Sequence, residues 1–138
     1  MTFCCHSNLG YSCPVQYQNL TDSWRKIGNP SSTNCDKSTR KFNGTTWFRF
    51  VEPAGTMLST SPPAKSSCGT SAVSWMNGAH PTIVGQSVSR KICFRWDSEC
   101  QWSRENTRVK GCRDYDGKLF YIYQFRQPTI CSAAYCAL

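Results

Sequence analysis

Ten cysteines spread over 138 residues constrain this chain more than any other feature. Cytosolic proteins keep thiols reduced, so this many cysteines point to a disulfide framework made in an oxidising compartment. At about 7 % of the chain, the cysteine content sits just under that of pure disulfide scaffolds. The length is that of one domain, long enough to bury a core of its own. Zinc is the competing use of the thiols. No C-x-x-C occurs, no two histidines stand at ligand spacing, and the cysteines run widely from Cys13 to Cys136, which all speaks against it.

No stretch approaches the ~18 apolar residues that a membrane span needs. The opening MTFCCHSNLG has neither the charged start nor the apolar centre of a signal peptide, so a secreted chain is expected here in mature form, with Met1 an added residue. Two sequons, Asn19-Leu20-Thr21 and Asn43-Gly44-Thr45, fit secretion and mark Asn19 and Asn43 as candidate glycosylation sites. The net charge of +8 raises the question of nucleic acid. The basic residues are scattered singly or in pairs (Arg25-Lys26, Arg40-Lys41, Arg90-Lys91), without a run of five or more, so no nucleic-acid partner is expected. They read as a solvated cationic surface that attracts acidic glycans or membranes.

The patterning is that of strands. TTWFRFV (45–51) is aromatic and β-branched and follows the turn Asn43-Gly44. SVSRKICFRW (87–96) alternates, with Val88, Ile92, Phe94 and Trp96 on one face. KLFYIYQF (118–125) starts from Asp116-Gly117 and pairs as a hairpin with TRVKGC (107–112). Only LTDSWRKIG (20–28) has a helical look, with Thr21 as N-cap and Gly28 as stop. CGTSAVSWMNGAHP (68–81) is too broken for a helix and too polar for a core strand, and reads as a loop. The expected class is a mostly β, disulfide-stapled antiparallel domain with at most one or two short helices. It spans residues 13–138 behind an extension of residues 1–12.

Several stretches occur together and in order: YQNLTDSWRK, NCD, WFRFVEPAGTML, CGTSAVSWMNGAHP, RKICFRW, CQW, VKGC, FYIYQF and AYC. In this the chain resembles the cysteine-rich domain family of uromodulin and the pancreatic zymogen-granule membrane glycoprotein, over about residues 13–136. The resemblance implies the bridges Cys13–Cys112, Cys35–Cys131, Cys68–Cys136 and Cys93–Cys100. The ten-cysteine form of the family has one more bridge. Its two cysteines are missing here, one from the loop Leu58–Pro63 and one where Glu99 precedes Cys100. Cys4 and Cys5 fall outside that framework and are candidates for an interchain link in a homodimer. The loop 68–81 is a family hallmark. Trp75, Asn77 and His80 in it either serve the fold, as core plug and as partners of backbone groups, or face a ligand.

Catalysis finds little support. Cys68-Gly69 lacks the flanking residues of a cysteine protease, and the family expects Cys68 in a bridge. A secreted ribonuclease would have only His6 and His80 as acid and base. Binding fits better, because saccharide sites combine an aromatic platform with carboxylates, amides or a bound calcium. Asp97 and Glu99 lie between Trp96 and Trp102, followed by Glu105-Asn106 and by Asp114-Tyr115-Asp116-Gly117. The last is an inserted D-x-D-G, with hard oxygens at alternating positions as calcium requires, although it also suits an ordinary turn. The resemblance supplies two roles. In uromodulin and its pancreatic relative the domain displays glycans that bacterial lectins grip, whereas free-standing cnidarian versions look like secreted recognition proteins, a galactose-binding lectin among them. The expectation is a secreted, calcium-assisted lectin for terminal galactose, not an enzyme. Its sugar contacts would be Asp114, Tyr115, Asp116, Trp102, Glu105 and Asn106, and its ion ligands Asp114, Asp116, Asp97 and Glu99. The alternatives are a glycosylated decoy or matrix module and a cationic membrane-active toxin.

Overall fold

The computed structural model describes residue 13, residues 15–65 and residues 67–138. The extension 1–12, with Cys4, Cys5 and His6, lies outside the described residues. Among those described, six strands make one sheet: β1 (Tyr17–Leu20), β2 (Trp47–Phe50), β3 (Val73–Asn77), β4 (Ser87–Arg95), β5 (Trp102–Arg113) and β6 (Leu119–Tyr123). Their spatial order is β1-β2-β6-β5-β4-β3. Neighbours are antiparallel except β1 and β2, which run parallel. Helical structure among the described residues is confined to two 3-10 turns, Ser23–Arg25 and Asp36–Ser38.

Two sequence expectations are corrected. The segment 20–28 makes a single 3-10 turn instead of a helix. Tertiary bonds take over its backbone: the Ile27 N–H donates to the Ala137 carbonyl and the Gly28 N–H to that of Ser67, while Arg25 turns inward. Weak local propensity cannot compete with that. The segment 68–81, read as a loop, contains strand β3, whose residues Val73, Ser74, Trp75 and Met76 are all buried. Ser74 looks too polar for a core strand but is satisfied there, because its hydroxyl accepts the Cys136 N–H at 2.8 Å. A paired polar group loses most of its burial penalty.

Alternation along the strands divides the sheet into two faces. Phe48 and Phe50 of β2, Tyr123 of β6 and Ile92 and Phe94 of β4 enter the main core, where Phe42, Phe125 and Tyr135 join them. Phe125 and Tyr135 stack at 3.9 Å between ring centroids, and Phe42 meets Tyr135 edge-on at 5.5 Å. The other face is smaller: Cys13, Cys112, Phe120 and Ile122, with Val15, Tyr17 and Trp47 packed against them.

Among the described residues no helical layer covers the main face, so irregular chain does, and covalent links hold it. Four bridges form, Cys13–Cys112 on the smaller face and Cys35–Cys131, Cys68–Cys136 and Cys93–Cys100 besides, the pairing that the family resemblance implies. Two of them anchor the C-terminal segment that carries Tyr135 over the core. Arg25 supplies a polar anchor beneath it. Its guanidinium grips both oxygens of Asp36 at 2.7 and 2.9 Å and reaches the Tyr135 carbonyl at 3.1 Å. Burial alone would lower the Arg25 pKa, but the hydrogen bonds and charge of Asp36, then those of Asp22, reverse this, and the net shift is upward.

Candidate saccharide site

Strand β5 fixes where the acidic residues can meet. It runs 12 residues, so its ends stand about 35 Å apart. Trp102 opens it, next to the loop carrying Asp97 and Glu99, and Asp114, Tyr115 and Asp116 follow its far end. The expected sugar and ion set is therefore not one site. Among the described residues, no three His, Cys, Asp or Glu side chains gather as a metal-holding group. Calcium takes six to eight oxygens, which these carboxylates do not assemble.

Each of these residues has a local setting. Asp114 Oδ1 accepts the N–H groups of Asp116 and Lys118, both at 2.9 Å, which closes the β5–β6 turn, and Gly117 completes it with φ +78°. Tyr115 stands 68 % exposed on that turn. Asn106 has φ 57° where one extra residue of β5 opposes β4, between the pairs Arg90↔Thr107 and Ile92↔Arg104. Asparagine tolerates this left-handed conformation, so Asn106 marks a β-bulge. Beside it, Glu105 accepts from the Ser103 hydroxyl at 2.9 Å and faces Lys91 at 3.8 Å. Asp97 pairs with Lys65 at 3.3 Å.

The other end of β5 holds a built recess. Residues 96–101 join β4 to β5, and the Cys93–Cys100 bridge pins them. Inside this loop the Gln101 side-chain oxygen accepts three backbone N–H groups, from Trp96, Asp97 and Ser98. The Glu99 carbonyl accepts the indole N–H of Trp75 at 2.9 Å, which ties the loop to β3. Trp96 is thus carried on a fixed loop with 53 % of its surface open to solvent. Together with Trp102, it lines a cleft of about 180 Å³ that Ser71, Ala72, Ile130 and Ser132 also line. Trp102 was expected as a sugar platform, whereas Trp96 was expected on the strand face with Val88, Ile92 and Phe94. β4 ends at Arg95, so Trp96 leaves the sheet and stays exposed.

The hallmark residues divide. Trp75 is buried in the sheet, whereas Asn77 is exposed at the end of β3. His80 is bonded to a side chain and not to backbone: its Nε2 lies 2.8 Å from the Tyr123 hydroxyl, which in turn accepts the Leu58 N–H at 3.1 Å. The imidazole is neutral, and its tautomer sets which of the two groups donates. Burial first, and the Arg90 charge second, bring the His80 pKa from 6.5 down to about 4. His6, its expected partner in a ribonuclease, lies outside the described residues. Of the sequons, Asn19 is exposed on edge strand β1 and Asn43 on a turn, where its side-chain oxygen accepts the Thr45 N–H and hydroxyl at 2.9 and 3.0 Å. No helix among the described residues is long and apolar enough to cross a membrane.

A single sheet whose irregular cover is stapled by bridges spanning 7 to 99 residues defines a disulfide-stabilised β module with a small aromatic cleft at one end. The chain belongs to the uromodulin-like family of eight-cysteine domains, whose model matches residues 48–137. It is 34 % identical to rat uromodulin over 121 residues, 87 % of this chain but 17 % of that protein. It is also 30 % identical to the rat pancreatic secretory granule membrane major glycoprotein over 118 residues, 85 % of this chain and 21 % of the relative. The mouse form of that glycoprotein is 31 % identical over 90 residues, 65 % of this chain and 17 % of the relative. The chain thus spans about a fifth of the curated relatives it matches.

Proposed function

We propose that this domain is a secreted, non-catalytic saccharide-binding protein that holds a terminal galactose in the Trp96–Trp102 cleft. The carrying observation is a solvent-open indole, held on a disulfide-pinned loop, beside a cleft of about 180 Å³ edged by the hydroxyl residues Ser71 and Ser132. A galactose ring presents a continuous patch of C–H groups to such an aromatic face, while its hydroxyls need donors and acceptors at the rim. The fixed loop keeps the platform in place before binding, which reduces the ordering cost. Four bridges in the fold favour an oxidising, extracellular setting. A homodimer through Cys4 or Cys5 would add a second site and hence avidity.

Binding of galactose-terminated oligosaccharides, measured by calorimetry, should be lost on Trp96→Ala and kept on Tyr115→Ala at the far end of β5. The contacts named here run through no metal. A chelator arm separates a calcium-assisted binder, in which Asp97 and Glu99 beside Trp96 would supply oxygens, from a calcium-independent one. Equal binding by the Trp96→Ala variant would sink the cleft as the site.

One observation favours a second role, glycan display. Asn43 and Asn19 both stand exposed, as acceptor asparagines must. Glycan mass at those positions in native material, with no galactose binding, would select a decoy over a lectin.

A further inference from the structure

A larger opening lies elsewhere in the sheet. β2 and β6 share only one register pair, Phe48↔Tyr123. Beyond it the strands part, and a cleft of about 410 Å³ opens between them, lined among others by Arg49, Glu52, Thr56, Lys118, Phe120 and Tyr121. That is the size range of small-ligand sites.

Its charge is uncompensated. Glu52 already accepts from Lys26 at 3.1 Å and 3.2 Å, and from the Gly55 N–H at 3.2 Å. Neither Arg49 nor Lys118 has a carboxylate partner among the described residues. Arg49 is also oriented in advance. Its guanidinium carbon lies 3.7 Å from the centroid of the Phe120 ring, and Nη1 donates to the Tyr17 hydroxyl at 3.3 Å. Stacking and that bond fix the plane. They leave the Nε–Nη2 edge, one of the two guanidinium edges that can grip an oxyanion with two parallel N–H donors, without an acceptor among the described residues.

We infer that the β2–β6 cleft binds an acidic saccharide, with its sulfate or carboxylate on the Nε–Nη2 edge of Arg49 and Lys118 as a second cation. A peptide strand fits less well. The Phe48↔Tyr123 pair closes one end of the gap, and the unpaired inner edges of β2 and β6 run on for only a few residues, too short to hold an added strand well. Thr56 and Tyr121 are also among the residues that line this space, residue types of the kind that saccharide sites use. The net charge of +8 draws polyanions toward it. This site is separate from the Trp96 cleft, and each can fail without the other.

The test follows the Arg49 Nε–H resonance and, in every variant, the backbone amides of Phe50 and Phe120 by NMR in about 0.15 M salt, where distant charges are screened. The probes are a heparin-derived hexasaccharide, a galacturonic acid hexamer and hexaglutamate. Saturable shifts with either saccharide are expected, and the comparison tells sulfate from carboxylate. Arg49→Lys keeps the charge but not the fork, and should weaken binding at least about tenfold. Lys118→Gln should weaken it several-fold, and Lys37→Gln, an equal charge change on an exposed turn, less than about twofold. Lys118→Gln alters an exposed side chain and keeps the test valid if Arg49→Lys melts early. An equal loss in Lys37→Gln would mean diffuse charge attraction and overturn the site. Hexaglutamate binding as tightly would overturn the saccharide assignment, and no saturable shift would overturn both.

Discussion

Asp36→Asn is expected to be among the most damaging conservative changes in this protein. The Asp36 carboxylate is 3 % exposed and accepts four hydrogen bonds: two from Arg25 at 2.7 and 2.9 Å, one from the Tyr135 N–H at 2.9 Å, and one from the Thr39 hydroxyl at 3.2 Å. Asparagine keeps the shape but turns one oxygen into a donor that must face another donor. Two charge-assisted bonds, each contributing about 1.5–3 kcal/mol, are weakened or lost. The Arg25 charge stays buried, with only Asp22 at 3.0 Å left to balance it, and Asp22 is 49 % exposed. Removing one member of a buried pair costs about 3–5 kcal/mol, and the residual Asp22 contact places this case near the lower end. Urea titration at pH 7, followed by tryptophan fluorescence, should show that loss as a lower midpoint at unchanged slope. Asp22→Asn, at the solvent-exposed partner, should cost under about 1 kcal/mol. A loss below about 1 kcal/mol for Asp36→Asn would refute the claim that this pair anchors the C-terminal cover.

Two further outcomes are expected. His80 binds its proton only near pH 4 in the fold but near 6.5 in the unfolded chain, so stability should fall as pH drops from about 6.5 to about 4, with no further loss from this group below that. The difference in urea midpoint between the wild type and His80→Gln should follow that window, and parallel curves would exclude His80 as the cause. Bridges closing longer loops restrict the unfolded chain more. Replacing Cys13 and Cys112, 99 residues apart, by alanine should cost about 4.7 kcal/mol, against about 2.4 kcal/mol for Cys93 and Cys100, 7 apart. Calorimetric melts that rank the two pairs in the opposite order would contradict the loop-closure account. The shorter bridge should nevertheless matter more for galactose, since it holds the Trp96 loop.

Alternation and cysteine content are local or compositional properties, and the sequence carried both. TTWFRFV declares β2 because Phe48 and Phe50 alternate with Trp47 and Arg49. Four bridges follow from the order of cysteines within a family pattern. β3 was hidden because the partners that make VSWMN a strand, Arg95 back to Lys91, lie across a hairpin and cannot be read from its own polarity. The turn at 23–25 was likewise decided by Ala137, more than a hundred residues away. Glu105-Asn106 sits at a bulge and Asp114–Asp116 in a turn, and such places favour the same polar residues that bind ions and sugars, so sequence alone does not tell the two roles apart.

What the amino-acid order settled by itself is a cross-linked β module, since the period of two and the thiols act between neighbours or through covalent chemistry. What only three dimensions settled is which side chains share a cleft. A 12-residue strand separates acids that are close in sequence, whereas the pairing of distant strands brings Trp96 to Ser132 and Arg49 to Lys118. Distances across a sheet depend on register and strand length, and no short stretch of chain encodes them alone.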